Sequence, residues 1–292
     1  YNAPGTSCSV WSLSIVMPSM IINADDLGYS PAVNRAIVDL FEAGLVTSAS
    51  LLVNQPFSEE GADIALRSPR LSVGVHLNLS RGRPLLSPEL VPSLVDETGR
   101  FCDPRQLFQR ALLRQIRWYE AAAELEAQVE WALARGVQID NLDTHVHFHT
   151  LPVARRLTER LADRYHVPAW RTPNVLSMIL PIGRWTDVLA SPPKPGKLLS
   201  PDYLVSLHQW GDRLLSDERV AGMVGKPGIV TELVVHPGYA DDPLLPLMDQ
   251  LQPARRQTEL DLLNSPAFRQ WLDGLGSRSP RRPNHSLVSS GM

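Results

Sequence analysis

From Met20 to Leu275 short apolar runs alternate with longer stretches of helical period, which predicts a series of βα units around a parallel sheet or barrel. Met20 to Asn23 reads as the first strand. Ser30-Pro31 then offers an N-cap and a first-turn proline, and Val33, Ile37, Leu40 and Phe41 recur at helical spacing up to Gly44. Ser48 to Val53 reads as a strand, Glu59 to Leu66 as a helix and Leu71 to Leu77 as a third strand. A long helical stretch is expected from Arg105 to Arg135, closed by Gly136. Val137 to Leu142 follows as a strand, Leu151 to Tyr165 as a helix and Ala169-Trp170-Arg171 as a short strand. Ile229 to Val235 is a late strand and Gln257 to Leu275 a closing helix, while the Pro-rich stretch Thr172 to Gly228 carries no clear period. Seven or so such units predict an α/β fold, an irregular TIM-like (β/α) barrel in a single domain, with a doubly wound open sheet as the alternative.

The patterned region places the domain at residues 19–276. Residues 1–18 lack the basic start and apolar core of a signal peptide and are expected to be a poorly ordered leader or upstream residues. Residues 277–292, rich in Ser, Pro and Arg, are expected to be a disordered tail. In the 292-residue chain, 43% hydrophobic and 20% charged residues suit a sizeable core. A net charge of -3 with both signs interspersed gives no footprint for a phosphate backbone, so nucleic acid is excluded as a partner. No run approaches the roughly 18 apolar residues of a membrane span. Two cysteines, Cys8 and Cys102, build neither a disulfide framework nor a thiolate metal site. They fit a reducing compartment, and a cytoplasmic location is expected; a homodimer is compatible with the sequence.

In either architecture the reactive groups belong at the C-terminal ends of the strands. Asp25 and Asp26 follow the first strand, His76 lies at the end of the third, and Asp143-Thr144-His145-Val146-His147-Phe148-His149 follows the strand ending near Leu142. His236 closes the late strand. All fall on one rim. Neighbouring Asp25 and Asp26 cannot point the same way from a strand, so one on a metal and one on a water is the easier division. His145, His147 and His149 at alternating positions are expected to face one side of an extended segment, with the roles of ligand, substrate contact and helix cap open among them. Arg171 could orient a carboxylate through a bidentate contact.

One carboxylate and two imidazoles make a facial set for a divalent ion, zinc or magnesium foremost, cobalt or manganese also suiting the ligands. Asp25 is then the candidate base toward the attacking water and His236 the candidate acid toward a departing amine. The same facial set also suits a non-haem iron oxygenase, and a catalytically silent glycan-binding protein would use Trp170 as a stacking surface. A two-carboxylate glycosidase is awkward with adjacent aspartates.

The segments NADDLGYS (Asn23 to Ser30), LVTSASLLVN (Leu45 to Asn54), VGVHLNL (Val73 to Leu79), DTHVHFH (Asp143 to His149), ELVVHPGY (Glu232 to Tyr239) and ELDLLNSPAF (Glu259 to Phe268) resemble, in order and spacing, the YdjC-like or ChbG-type carbohydrate deacetylases. These are relatives in mechanism of the NodB-type polysaccharide deacetylases. The resemblance implies an irregular TIM-like barrel that hydrolyses the acetamide of an N-acetylglucosamine-type unit in an oligosaccharide or glycoconjugate. By motif position it implies Asp26, His76 and His145 as metal ligands, Asp25 as base and His236 as acid, with His147, His149 and Arg171 as candidates for substrate binding. Val146 departs from the pattern, standing where a further histidine is common.

Overall fold

The computed structural model describes residues 19–171, 198–218, 220, 224, 228–241, 243 and 253–275. The expected leader and tail lie outside the described residues, as does Cys8.

Among the described residues, seven strands form one parallel sheet in the order β5-β4-β3-β2-β1-β7-β6. They are β1 (Ser19–Leu27), β2 (Ser48–Leu51), β3 (Ser72–Leu77), β4 (Asn141–Thr144), β5 (Ala169–Trp170), β6 (Tyr203–Ser206) and β7 (Val230–Val235). Residues of β2, β3 and β4 are buried on both faces, as covered parallel strands require. The helices α1 (Pro31–Glu42), α2 (Ser58–Arg67), α3 (Pro104–Leu112), α4 (Trp118–Ala134) and α5 (Pro152–Arg164) alternate with the strands, and Pro253–Asn264 and Pro266–Gly274 follow β7. Helix α1 starts as the sequence predicts: the Ser30 side chain accepts from Val33 N, Pro31 opens the first turn, and Val33, Ile37 and Leu40 are buried.

Curvature separates the two predicted architectures. Five strand spacings divide β5 from β7, which in a flat sheet would be ~24 Å. Yet Arg171, directly after β5, reaches Glu232 on β7 at 3.0 Å. The sheet is therefore curled into a barrel-like trough, and the TIM-like reading holds over the open sheet.

Several predicted boundaries change. Strand β1 runs on to Leu27, so Asp25 and Asp26 lie inside it rather than after it. The stretch expected as one helix from Arg105 to Arg135 is two, parted by a turn in which Arg114 adopts φ 58 and Gln115 N donates to Arg110 O. Arginine at this position hides the turn, since glycine is its usual marker. The closing helix is likewise two: Ser265 caps the second by accepting from Phe268 N, with Pro266 at its first turn. Strand β6, in the stretch without a readable period, was not expected.

Candidate active site

The concave interior of the trough is polar. From β1, Asn23 Nδ2 donates to Asp25 Oδ1 at 2.7 Å and to Ser50 Oγ on β2 at 2.9 Å; Ser50 in turn donates to Asp143 Oδ2 on β4 at 2.7 Å. Fully buried Arg171 lies among three carboxylates. It donates bidentately to Asp25 at 2.9 and 2.7 Å, and approaches Asp143 at 2.8 Å and Glu232 at 3.0 Å. Burial raises the Asp25 pKa, but Arg171, then His76, outweigh it and hold the carboxyl far below the ordinary range. Asp143 is lowered by the same neighbours against the same opposition.

At the rim the backbone of Asp26 is left-handed, φ 73, and the β1–β2 register shifts between Ala24 and Leu27. This bulge turns two adjacent carboxylates to different partners. Gly28 follows at φ +90, where an added Cβ would stand 2.8 Å from Leu52 O, so the close approach of the backbone just after β2 requires glycine. Asp26 Oδ2 accepts from Arg256 at 2.6 Å, whereas its buried Oδ1 has no hydrogen-bond partner among the described residues and faces His76 Nε2 at 3.7 Å. The same nitrogen is 3.7 Å from Asp25 Oδ2, and His76 Nδ1 pairs with Asp143 Oδ1 at 2.8 Å.

Three carboxylates surround the ring of His76. Burial opposes its charge, but Asp143, Asp25 and Asp26 raise its pKa to about 9. In metal-free protein its ring should titrate near that value by NMR; a midpoint near 6.5 would contradict the geometry. Because the folded pKa is raised, the associated stability is complete below about 6.5 and is lost as pH rises through about 9. Burial instead lowers the pKa of His145, His147 and His149, leaving neutral rings.

Asp25, Asp26, His76, His145, His147 and His236 line one cavity of about 330 Å³, joined by Arg81, His208 and Arg256. Arg81 also lines a neighbouring hollow of about 760 Å³. His236 Nε2 is 3.8 Å from Asp25 Oδ2, and His236 N donates to Glu259 at 2.6 Å. The rings of His76 and His145 meet edge to face at 5.6 Å. Arg171 and His149 are not in the cavity lining. Fully buried His149 contacts Thr144 through Nδ1, and Trp170, only 4% exposed, belongs to the core and offers no stacking surface.

The histidine segment is not extended. After Thr144 the chain enters tight turns with Val146 at φ 50 and His147 at φ 52, so the alternation that would align three rings is broken. Glu232, Arg256 and Ser80 were not anticipated. Glu232 carries a readable signal, a carboxylate inside an apolar strand; Arg256 and Ser80 carry none.

Ligand atoms of Asp25, His76 and Asp143 lie within 4.8 Å of one another, and this buried group could hold a metal ion. Two of its members are already bound by Arg171. The unpartnered Asp26 Oδ1 beside His76 Nε2 is a second place where a cation would satisfy a buried oxygen.

The sequence profile of the YdjC-like protein family matches residues 19–274. A carbohydrate deacetylase of Geobacillus stearothermophilus is 36% identical over 250 residues, covering 85% of this chain and 90% of that protein. One from Brevibacillus brevis is 32% identical over 257 residues, covering 87% and 94%. The solved structure of an Enterococcus faecalis protein, described as a cellobiose-phosphate cleavage protein, superposes with a TM-score of 0.75 at 27% identity and covers 91% of this chain and 98% of that one. With the profile spanning the curled sheet and every group around the cavity, the chain belongs to the YdjC-like protein family.

Proposed function

We propose that the protein is a metal-dependent carbohydrate deacetylase that hydrolyses the acetamide of an N-acetylglucosamine-type unit in an oligosaccharide or glycoconjugate. The observation that carries this reading is the convergence of two aspartates and four imidazoles from β1, β3, the turn after β4 and the end of β7 on one cavity. The names of the matched relatives point to the same chemistry.

Asp26, His76 and His145 are the residues assigned to the ion. Asp26 contributes the oxygen that lacks a partner, and Asp143 holds the other nitrogen of His76, as an outer-shell carboxylate does. We prefer this set to Asp25, His76 and Asp143, because Arg171 already spans both of those carboxylates. A divalent ion, zinc or magnesium foremost, supplies polarisation of the amide carbonyl and acidification of a water. Asp25, kept ionised by Arg171, is assigned to accept a proton from water at the cavity; its low basicity is a consequence of that grip. His236, whose Nε2 lies 3.8 Å from Asp25 Oδ2, donates to the departing amine. His147 contacts the sugar from the cavity wall, while Arg171 and His149 act from behind it, on Asp25 and on the turn.

The test is acetate release from N-acetylated chitooligosaccharides before and after chelation. We expect release that stops with chelator and returns with added Zn²⁺ or Mg²⁺. Release indifferent to chelator would remove the metal from the reading, and no release from any acetylated amino sugar would remove the deacetylase.

A further inference from the structure

We propose that Gln128, on the outer helix α4, is a positioning residue for the active cavity, acting through Asn78 and Ser80 on the ring of His145; the proposal rests on His145 being a metal ligand. Glu120, Glu124 and Gln128 recur every four residues and are 2%, 0% and 0% exposed, so an outer helix turns a polar stripe inward. Burying such groups is unfavourable unless each is paired. Here each of the three is hydrogen-bonded to backbone of the segment after β3. Glu124 accepts from Leu85 N and Leu86 N at 3.0 Å, and Glu120 accepts from Ser93 N at 2.8 Å.

Gln128 grips the residue that begins this loop. Asn78 N donates to Gln128 Oε1 at 2.8 Å, and Gln128 Nε2 donates to Asn78 O at 2.7 Å and to Glu124 at 2.8 Å. The side-chain amide thus clasps both backbone groups of one residue, one position past the end of β3 and two past His76. The Asn78 side chain passes the constraint on. Its Nδ2 donates to Asn54 Oδ1 and Arg81 O at 2.9 Å, which fixes the orientation of the amide. Its Oδ1 accepts from Ser80 N at 2.9 Å and lies 3.5 Å from Ser80 Oγ. With the hydroxyl proton directed toward Asn78, a Ser80 lone pair faces His145 Nδ1 at 3.0 Å. A ring held at Nδ1 presents Nε2 as its free donor atom, the role an outer-shell acceptor plays for a ligating histidine. The chain from α4 to His145 is continuous.

A stripe that merely fastened the loop would affect folding and leave metal affinity unchanged. Metal-free parent, Ser80→Ala, Ser80→Thr, Gln128→Met and the Ser80→Ala/Gln128→Met double variant are therefore titrated with Zn²⁺ by calorimetry. Ser80→Ala and Gln128→Met are each expected to bind about 10- to 100-fold more weakly. Ser80→Thr should bind like the parent, and the double variant should be no weaker than the weaker single, because both changes release the same ring. Parental affinity in Ser80→Ala, or additive losses in the double variant, overturns the proposal. Should Gln128→Met not fold, Gln128→Glu, which keeps the acceptor for Asn78 N and loses the donor, takes its place with the same expectation. A parent that binds no Zn²⁺ overturns the metal reading instead.

Discussion

Replacing Arg171 with methionine is expected to remove about 3–5 kcal/mol of folding stability, as stripping one partner from a buried ionic cluster does. Methionine matches much of the volume, so packing is not the main loss. Asp25, Asp143 and Glu232 would be left buried without their shared cation. The sign of the pH dependence is diagnostic. In the parent, Asp25 and Asp143 have lowered pKa values, so their contribution is present above the unfolded value near 3.8 and lost as pH falls below it. In the variant, burial without Arg171 drives the carboxyl pKa values above the unfolded value, so the folded state takes up protons and gains stability on acidification. Urea unfolding of chelator-treated protein at pH 6 and pH 4 should therefore show the penalty shrinking in acid. A penalty under about 1 kcal/mol at pH 6, or one that grows toward pH 4, would mean that the cluster does not hold the trough together.

Asp25→Asn should lower turnover about 10²- to 10⁴-fold, the ordinary range for a lost general base, while the bound metal content stays that of the parent. The separation follows from geometry: Asp25 is engaged by Arg171 and Asn23, whereas the oxygen without a partner belongs to Asp26. Elemental analysis alongside acetate assays decides the matter. Loss of metal in this variant would move Asp25 into the ligand set and leave the base unassigned.

What the chain reveals in advance depends on the range of the interaction. Strand, loop and helix recur with local periods, so the βα series and the single rim for Asp25, Asp26, His76, His145 and His236 could be read directly. Burial at β3 places His76 in an apolar run, a local signal. Backbone conformation at the histidine segment could not be read, because alternation assumes extended geometry and Val146 gives no sign of a positive φ. Long-range pairing was equally hidden. Arg255 and Arg256 are adjacent and alike in sequence, yet one is exposed and the other reaches Asp26 across the fold. Arg171 could be foreseen as a bidentate partner for a carboxylate, but three buried acids around it depend on the curl of the sheet.

The rim is also where the backbone is least comfortable. Asp26, Val146 and His147 all occupy left-handed conformations, each disfavoured by roughly 1–3 kcal/mol for a side-chain-bearing residue and most severely for a β-branched one. The scaffold therefore carries a standing load at the lining of the candidate cavity. Variants selected for heat resistance alone would drift toward glycine or asparagine at these three positions, and hardier descendants would arise most readily by giving up the shape of the cavity mouth.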